Sequence, residues 1–200
     1  MANKSILKTK KEDYNIVIAG TGGQGVITLL QVLAEAALIE GKDIKTSELH
    51  GLSQRGGSVE VHVRFGERIY SPLVMRGKAD LVIGLETQEV LRALDYAGPQ
   101  TVFLVNKYFV PIPLEKKMTE GEIVDNLKKI SGKAELIPAS DICQESLGTS
   151  VVAGIYLICL AANKDFIPLK PESIKDAIKK VIPQKYLELN LKTFELAKQK

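Results

Sequence analysis

A short apolar run leads directly into a glycine-rich turn at residues 14–25, which read YNIVIAGTGGQG. An apolar run of this length that ends at glycine is typical of a strand buried in a parallel sheet. Beyond the turn, apolar residues recur every three or four positions from Val26 to Leu38, which predicts a helix with one buried face. Gly41 ends this helix, and residues 44–48 predict a second strand. This order of elements is typical of the opening of a doubly wound α/β sheet.

The next segment departs from that alternation. Residues 50–58, HGLSQRGGS, are polar and glycine-rich, and they lead into a stretch up to Phe65 in which apolar and polar side chains alternate. The alternation predicts a half-buried strand whose polar face, which includes His62, is open to water or to a partner. A turn at Gly66-Glu67 then predicts an antiparallel hairpin with residues 68–70 as its second strand.

The remainder of the chain returns to alternating strands and helices. Strands are predicted at residues 80–86, 101–106 and 134–137, and helices at residues 87–95, 119–130 and 149–162, with Ser150 as the N-cap of the last. From about residue 171 the chain is predicted to be helical, with Pro183 dividing two segments. The predicted fold is a Rossmann-like, doubly wound α/β fold. Its sheet is mostly parallel, with an inserted antiparallel hairpin and a C-terminal helical segment.

Composition excludes several classes of protein. The chain has 200 residues, 45% of them hydrophobic and 26% charged, which predicts one domain over residues 13–200 after a flexible basic tail at residues 1–12. Cys143 and Cys159 are too few for a disulfide scaffold or a protein-only metal site, and their apolar neighbours predict core positions. The net charge of +3 forms no basic stripe, so nucleic acid is not expected. The tail has no secretory signal, and the longest apolar run falls short of a membrane span of roughly 20 residues, so we expect a cytoplasmic protein.

The first glycine turn has the G-x-G-x-x-G spacing of a dinucleotide-binding fingerprint at Gly20, Gly22 and Gly25. Glycine lets the backbone approach a phosphate, and the N-terminus of the following helix favours an anion. Glu48 lies at about the distance along the chain expected for a ribose-binding carboxylate. Two interpretations remain open, a phosphate or nucleotide site and a turn that only allows close packing. The candidate binding residues here are Gly22, Gly23, Gln24 and Gly25.

The second glycine-rich loop supplies further candidates. Arg55 can donate several hydrogen bonds to a carboxylate or a phosphate, while the glycines around it let the backbone bend. His50 is a candidate proton shuttle, although a loop histidine more often only forms hydrogen bonds. Glu86 and Asn106 end predicted parallel strands, where α/β proteins bind ligands, and each could instead cap a loop. The candidate binding residues of this group are Ser53, Gln54, Arg55, Gly56, Gly57, Glu86 and Asn106, with Arg55 and His50 as catalytic candidates.

Together the two glycine-rich motifs resemble a known family. Residues 20–26, GTGGQGV, and residues 48–59, ELHGLSQRGGSV, are similar to the gamma-type domain of 2-oxoacid:ferredoxin oxidoreductases. The second motif most resembles the small (beta) subunit of the indolepyruvate branch. The motifs Arg64-Phe65-Gly66, Tyr70-Ser71-Pro72 and Gly84-Leu85-Glu86 agree with this resemblance, which covers about residues 14–160.

The resemblance implies a reaction that needs a second subunit. The family oxidatively decarboxylates a 2-oxoacid with coenzyme A and gives an acyl-CoA, CO₂ and reduced ferredoxin. Thiamine diphosphate, Mg²⁺ and [4Fe-4S] clusters are then expected on a large alpha subunit, because two cysteines cannot hold such clusters. This chain would hold no cofactor alone and would help to form the approach for CoA and the 2-oxoacid. Ferredoxin would accept the electrons of the complex.

Other functions remain open beside this one. Within the family, pyruvate, branched-chain oxoacids and 2-oxoglutarate are alternative substrates to indolepyruvate and other arylpyruvates. Outside it, the glycine fingerprint alone also suits an NAD- or flavin-dependent dehydrogenase, or a nucleotide-binding module without activity.

Overall fold

A computed structural model describes residues 13–51, 56–109 and 118–199. The strands in these ranges are β1 (Asp13–Thr21), β2 (Asp43–His50), β3 (Ser58–Gly66), β4 (Leu81–Gly84), β5 (Val102–Asn106) and β6 (Ala134–Ile137). The α-helices are α1 (Val26–Ile39), α2 (Glu120–Ile130), α3 (Ala139–Leu147), α4 (Ala153–Asn163), α5 (Pro171–Val181) and α6 (Gln184–Ala197), and a 3₁₀ helix spans Glu89–Tyr96. The predicted basic tail at residues 1–12 lies outside the described residues.

The strands form one mixed sheet in the order β2-β3-β1-β4-β5-β6. β1, β4, β5 and β6 run parallel, whereas β3 is antiparallel to both of its neighbours, β1 and β2. The predicted α/β class, with a mostly parallel sheet and an antiparallel insertion, is therefore confirmed. As in other sheets of this kind, the carboxyl ends of the parallel strands meet at one edge.

The partner of β3 in its hairpin differs from the prediction. β3 follows β2 through residues 51–57 and pairs with it along its whole length, whereas residues 68–70 form no strand. Instead, residues 67–79, which we call the strap, cross the polar face of β3. His62 accepts a hydrogen bond at Nδ1 from the Val74 N–H (3.0 Å) and is only 1% exposed. The prediction that this face is open to water or to a partner is thus wrong for His62, whereas Glu60 and Arg64 on the same face stay partly exposed.

Two apolar layers enclose the sheet. On one face, Ile16, Ile18 and the apolar residues of β3 pack against α1, α3, α4, α5 and α6. On the other face, Val17, Val82 and Phe103 pack against the strap, the 3₁₀ helix and α2. Gly84 of β4 lets the 3₁₀ helix approach closely, because a Cβ there would lie 2.8 Å from Val90 Cβ. Sheet residues covered on both sides explain why the central strands are continuous apolar runs in the sequence.

Most predicted helices are present, with altered starts. α2 begins after a capping box, in which the Thr119 hydroxyl accepts from the Glu122 N–H and the Glu122 carboxylate accepts from the Thr119 N–H. The helix predicted over residues 149–162 starts only at Ala153, and its N-cap is Val152 rather than Ser150. Residues 150–152 form a turn in which the Ser150 backbone carbonyl, not its hydroxyl, accepts from the Ala153 N–H (3.0 Å). The helix predicted over residues 87–95 is a 3₁₀ helix, and α3 was not predicted.

The C-terminal helices agree with the sequence pattern. α5 begins with Pro171 in its first turn, and Pro183 is the N-cap of α6. Both helices pack on the face of the sheet that α1 covers. Among the residues that the structure describes, no helix is both long enough and apolar enough to cross a bilayer.

Candidate functional site

The two glycine-rich motifs meet at the carboxyl edge of the parallel strands. The end of β1 and the start of β3 are paired, with Thr21 opposite Ser58. Beyond them, the Gly22 N–H donates to the Gly57 carbonyl oxygen (2.8 Å), and the Gly51 N–H donates to the Ser58 carbonyl oxygen (3.1 Å). Segments that lie about 30 residues apart in the sequence therefore form one surface.

Backbone geometry at this surface depends on glycine. Gly23 has a φ of 99° and Gly25 a φ of 76°, and Gly56 in the second motif has a φ of 67°. Other residues adopt this left-handed region only at a cost of about 1 kcal/mol or more. A Cβ would meet no atom within 4 Å at any of the three, so the backbone angle and not space favours glycine. The backbone conformation of the turn thus accounts for these glycines without any ligand.

Helix α1 starts at this turn without a side-chain cap. Its N-cap is Gly25, and its first intrahelical bond runs from the Leu29 N–H to the Gly25 carbonyl (3.1 Å). In any α-helix the N–H groups of the first turn, here those before Leu29, have no acceptor within the helix. The helix dipole adds positive potential at the same end. This end of α1 can therefore receive an anion such as a phosphate.

Gln24 fastens the turn with its side chain. Its Oε1 accepts from the Thr21 N–H (2.8 Å) and lies 2.8 Å from where a Cβ of Gly20 would stand. Gly20 therefore makes room for this side-chain contact. The amide oxygen of Gln24 holds the turn, which leaves its NH₂ group as the part suited to a ligand.

Two clefts flank the turn, and Gly23, Gln24, Val151 and Gly154 line both of them. The first has a volume of about 270 Å³, and four of its lining residues carry a hydroxyl group: Tyr108, Ser140, Thr149 and Ser150. The second, of about 410 Å³, is mostly apolar and lies between the start of α1, the start of α4 and the beginning of α6. A ligand with both polar and apolar parts fits such a pair of clefts.

Asn106 joins three elements at the first cleft. Its Nδ2 donates to the Leu85 carbonyl (3.2 Å) and to Ser140 Oγ (2.8 Å), and its Oδ1 accepts from the Ser140 N–H (3.1 Å). The side chain is 3% exposed. Asn106 thus fixes the ends of β4 and β5 against α3, and its amide is used by the protein.

Glu86 is placed differently from Asn106. It is 2% exposed, and its carboxylate accepts from the backbone N–H groups of Gln88 (2.7 Å) and Glu89 (2.8 Å). It therefore binds N–H groups at the start of the 3₁₀ helix. Of the two roles that the sequence left open, ligand contact and loop capping, this is loop capping. Glu86 does not line either of the two clefts.

Glu89 lies next to the candidate site, and the sequence did not indicate it. It is 5% exposed, accepts a hydrogen bond from the Ser58 hydroxyl and lies 3.2 Å from Arg92 Nε. It therefore ties the start of β3 to the 3₁₀ helix beneath the second motif. A glutamate in the first turn of a helix usually stays in solvent, so no sequence signal marks this contact.

The remaining candidates divide into two groups. His50 is exposed, with Nε2 3.2 Å from the Glu48 carboxylate. Gly56 and Gly57 lie at the meeting point of the motifs, whereas Ser53, Gln54 and Arg55 lie outside the described residues. Their binding roles, and the catalytic roles suggested for His50 and Arg55, stay predictions.

The sheet order argues against a dinucleotide in the usual position. Glu48 lies on β2, and β3 separates that strand from β1, since Val61 pairs with both Glu48 and Ile18. Two strand spacings amount to about 10 Å, so the carboxylate does not stand beside the glycine turn where a ribose would lie.

Both cysteines lie in the core, as predicted. Cys143 and Cys159 are fully buried, and burial raises the pKa of the Cys143 thiol to about 11 and that of Cys159 further. Within the described ranges, no cluster of three or more His, Cys, Asp and Glu side chains could hold a metal. The donor set of this chain therefore does not fit an iron–sulfur cluster.

We expect neither thiol to react in the folded protein. Burial and the raised thiol pKa keep both groups protonated and out of reach of reagent near neutral pH. A colorimetric thiol titration should detect essentially no fast-reacting thiol in native protein, and both thiols in denaturant. Rapid labelling of the native chain would show that one of them is accessible after all.

Comparisons with known proteins agree on one family. The family model described as pyruvate ferredoxin/flavodoxin oxidoreductase matches residues 15–200. The indolepyruvate oxidoreductase subunit IorB of Thermococcus kodakarensis is 35% identical over 92% of this chain and 94% of its own. A common gamma subunit of pyruvate/ketoisovalerate oxidoreductases from Pyrococcus abyssi is 30% identical over 86% and 89%.

Solved structures share the fold. The gamma subunit of a keto/oxoacid ferredoxin oxidoreductase from Geobacter sulfurreducens superposes with a TM-score of 0.68 at 23% identity, over 93% of this chain and 96% of that one. A 2-oxoglutarate:ferredoxin oxidoreductase from Magnetococcus marinus gives 0.72 at 19% identity, over 95% of this chain and 31% of that one. On the strength of the family model and the relatives, the chain belongs to the pyruvate ferredoxin/flavodoxin oxidoreductase family.

Proposed function

We propose that this chain is the small subunit of a cytoplasmic 2-oxoacid:ferredoxin oxidoreductase whose substrates are arylpyruvates such as indolepyruvate. The observation that carries the proposal is the union of the two glycine-rich motifs at the carboxyl edge of the sheet. The names of the indolepyruvate oxidoreductase relatives, at 29% to 35% identity over most of the chain, support the choice of substrate. Residues 13–200 would act as one domain within the complex.

The proposal divides the chemistry between two subunits. A larger partner would carry thiamine diphosphate, Mg²⁺ and iron–sulfur clusters, which in such enzymes stabilise the carbanion and remove electrons singly toward ferredoxin. The donor chemistry of this chain supports that division, because its two cysteines are both buried in the core. The small subunit then contributes binding surface and positioning.

Coenzyme A is the ligand that we assign to the surface around the first turn. Its phosphates would lie against the free N–H groups at the start of α1, where the glycines at 23 and 25 expose the backbone. The first cleft, with its polar lining residues, and the mostly apolar second cleft suit its polar and apolar parts. Arg55 in the second motif would add a bidentate contact to a phosphate or to the carboxylate of the 2-oxoacid.

Replacing Gly25 by alanine should raise the KM for CoA by about tenfold in the assembled complex, because a methyl group at the turn obstructs a phosphate. Gly41→Ala is the matched control. Gly41 also has a positive φ (71°) and open space around its Cβ, but it follows the other end of α1. Both changes should cost about 1 kcal/mol of stability. Equal KM values in steady-state assays of the two variants would contradict the assignment of CoA to the turn.

The complete proposal is tested by anaerobic purification of the tagged chain from its host. We expect a brown complex that contains a larger, cysteine-rich subunit and that reduces ferredoxin with indolepyruvate and CoA. A colourless lone chain of 21.9 kDa would contradict the proposal. A complex that oxidises pyruvate or branched-chain oxoacids in preference would keep the family role and replace the substrate.

A further inference from the structure

The outer side of the strap exposes three large apolar side chains. Tyr70, Leu73 and Met75 are 80%, 48% and 65% exposed, and they lie within six consecutive positions. We call these three residues the strap surface. Single exposed apolar residues are ordinary, but a group of them on one segment marks a surface that another molecule covers.

The strap is held in place from beneath, so these side chains cannot simply turn inward. Ile69 and Val74 of the strap are 4% and 3% exposed and fill the space over the sheet. The Ile69 N–H donates to the Asp43 carboxylate (2.8 Å), and Arg64 donates to the Ser71 carbonyl (2.9 Å). The strap surface is therefore preorganised, which lowers the conformational-entropy cost of binding a partner.

Charge around the strap surface selects the kind of partner. The strap carries three basic side chains, those of Arg68, Arg76 and Lys78, against one acidic side chain, that of Glu67. The neighbouring Asp95 carboxylate lies 3.4 Å from Arg76, so basic groups outnumber acidic ones by three to two. The Arg68 guanidinium lies 5.0 Å from the centre of the Tyr70 ring, so aromatic and cationic groups form one patch. Tyr, Met and Arg are the side chains that protein interfaces favour.

A second copy of this chain is a poor occupant. In a twofold dimer the same patch meets itself, which would place the basic side chains of both copies opposite each other. A partner with carboxylates around an apolar depression avoids that repulsion and neutralises the patch.

We propose that the strap surface docks onto the larger subunit of the oxidoreductase complex, against an apolar depression bordered by carboxylates. The inference rests on the proposed function, which supplies the larger subunit. It assigns the contact between subunits to the face of the sheet opposite α1, adjacent to the 3₁₀ helix.

The test measures the affinity of purified small-subunit variants for the larger subunit, with thermal unfolding as a check on folding. The double variant Tyr70→Ser/Met75→Ser should weaken binding by at least about tenfold. The charge variant Arg76→Glu should weaken it by about tenfold at low salt and less at high salt. Leu38→Ser is the control for the apolar variant, since Leu38 is 55% exposed and lies on α1, away from the strap. Lys192→Glu is the control for the charge variant, since Lys192, like Arg76, forms an exposed ion pair.

Each outcome decides the inference. Controls that bind like the wild type, with weakened strap variants, support it. Strap variants that bind as tightly as the controls overturn it and leave the proposed function intact. A wild-type chain that binds no larger subunit overturns both. The remaining outcome is that light scattering finds a homodimer for the wild-type chain and a monomer for the double variant. This would assign the surface to a second copy and overturn the inference.

Discussion

Replacing Asn106 by leucine is expected to lower the free energy of unfolding by about 3–4 kcal/mol. Leucine has a similar size but cannot donate to the Leu85 carbonyl or exchange hydrogen bonds with Ser140. These groups line the first cleft but are largely shielded from water, because Asn106 is 3% exposed and Ser140 8%. Unpaired polar groups there cost their full desolvation energy. Chemical denaturation followed by circular dichroism measures the loss.

Asn126→Leu is the control for this change. Asn126 lies on α2, where its Oδ1 accepts from the Lys129 ammonium in solvent, so the loss should stay within about 0.5 kcal/mol. Because Asn106 also borders the first cleft, the Asn106 variant should show a raised KM for CoA at temperatures where it remains folded. A stable Asn106 variant with unchanged KM would contradict both expectations: that these three hydrogen bonds stabilise the fold, and that the side chain shapes the cleft.

Much of the fold was predictable because the central strands are continuous apolar runs. The strand predicted at residues 134–137 has the bounds of β6, and the helix predicted up to Ile130 is α2 with its capping box. Pairing was harder, since it depends on residues far apart in the sequence. The short alternation at residues 68–70 resembled a strand, whereas the true partner of β3 is β2, whose exposed edge gives it a polar sequence. α3 was missed because its sequence, ASDICQESL, shows only a weak apolar stripe.

The sequence indicates the conformation of the turn where backbone geometry dictates the residue, while its role as a ligand site stays a prediction. Glycines at positive φ are visible in a sequence, and they mark the turn at Gly23 and Gly25 correctly as a special conformation. Contacts made by ordinary polar side chains are not visible in the same way. The hydrogen bond from Ser58 to Glu89, and the presence of Ser140 and Ser150 in the lining of the first cleft, follow only from the tertiary fold. Asn106 was selected for its place at a strand end, and the structure shows it as a clamp between elements.

Replacing Arg64 by methionine is expected to destabilise the protein by about 2–3 kcal/mol and to release the strap. The guanidinium donates to Asn15 Oδ1 (2.7 Å) and the Asp13 carboxylate (2.6 Å) in β1. It also donates to the Ser71 (2.9 Å) and Leu73 (3.5 Å) carbonyls, so one side chain joins β1 to the strap. Methionine retains much of the apolar stem but none of these donors. The side chain is 14% exposed and Asp13 33%, so solvent offsets part of the loss and keeps it below that of a fully buried pair.

Hydrogen exchange distinguishes release of the strap from general destabilisation. Local opening should speed hydrogen exchange of the strap amides, including the Val74 N–H, which donates a hydrogen bond to His62. The amides of β4 and β5 should keep their protection. Arg76→Met is the control, because Arg76 is 83% exposed and its ion pair with Asp95 is in solvent, so stability should change by less than about 0.5 kcal/mol. Uniform acceleration across the sheet in the Arg64 variant would mean that this arginine supports the whole domain rather than the strap. Because Arg64 donates to the strap through the Ser71 and Leu73 carbonyls, faster exchange confined to residues 67–79 would assign the loss to those two bonds.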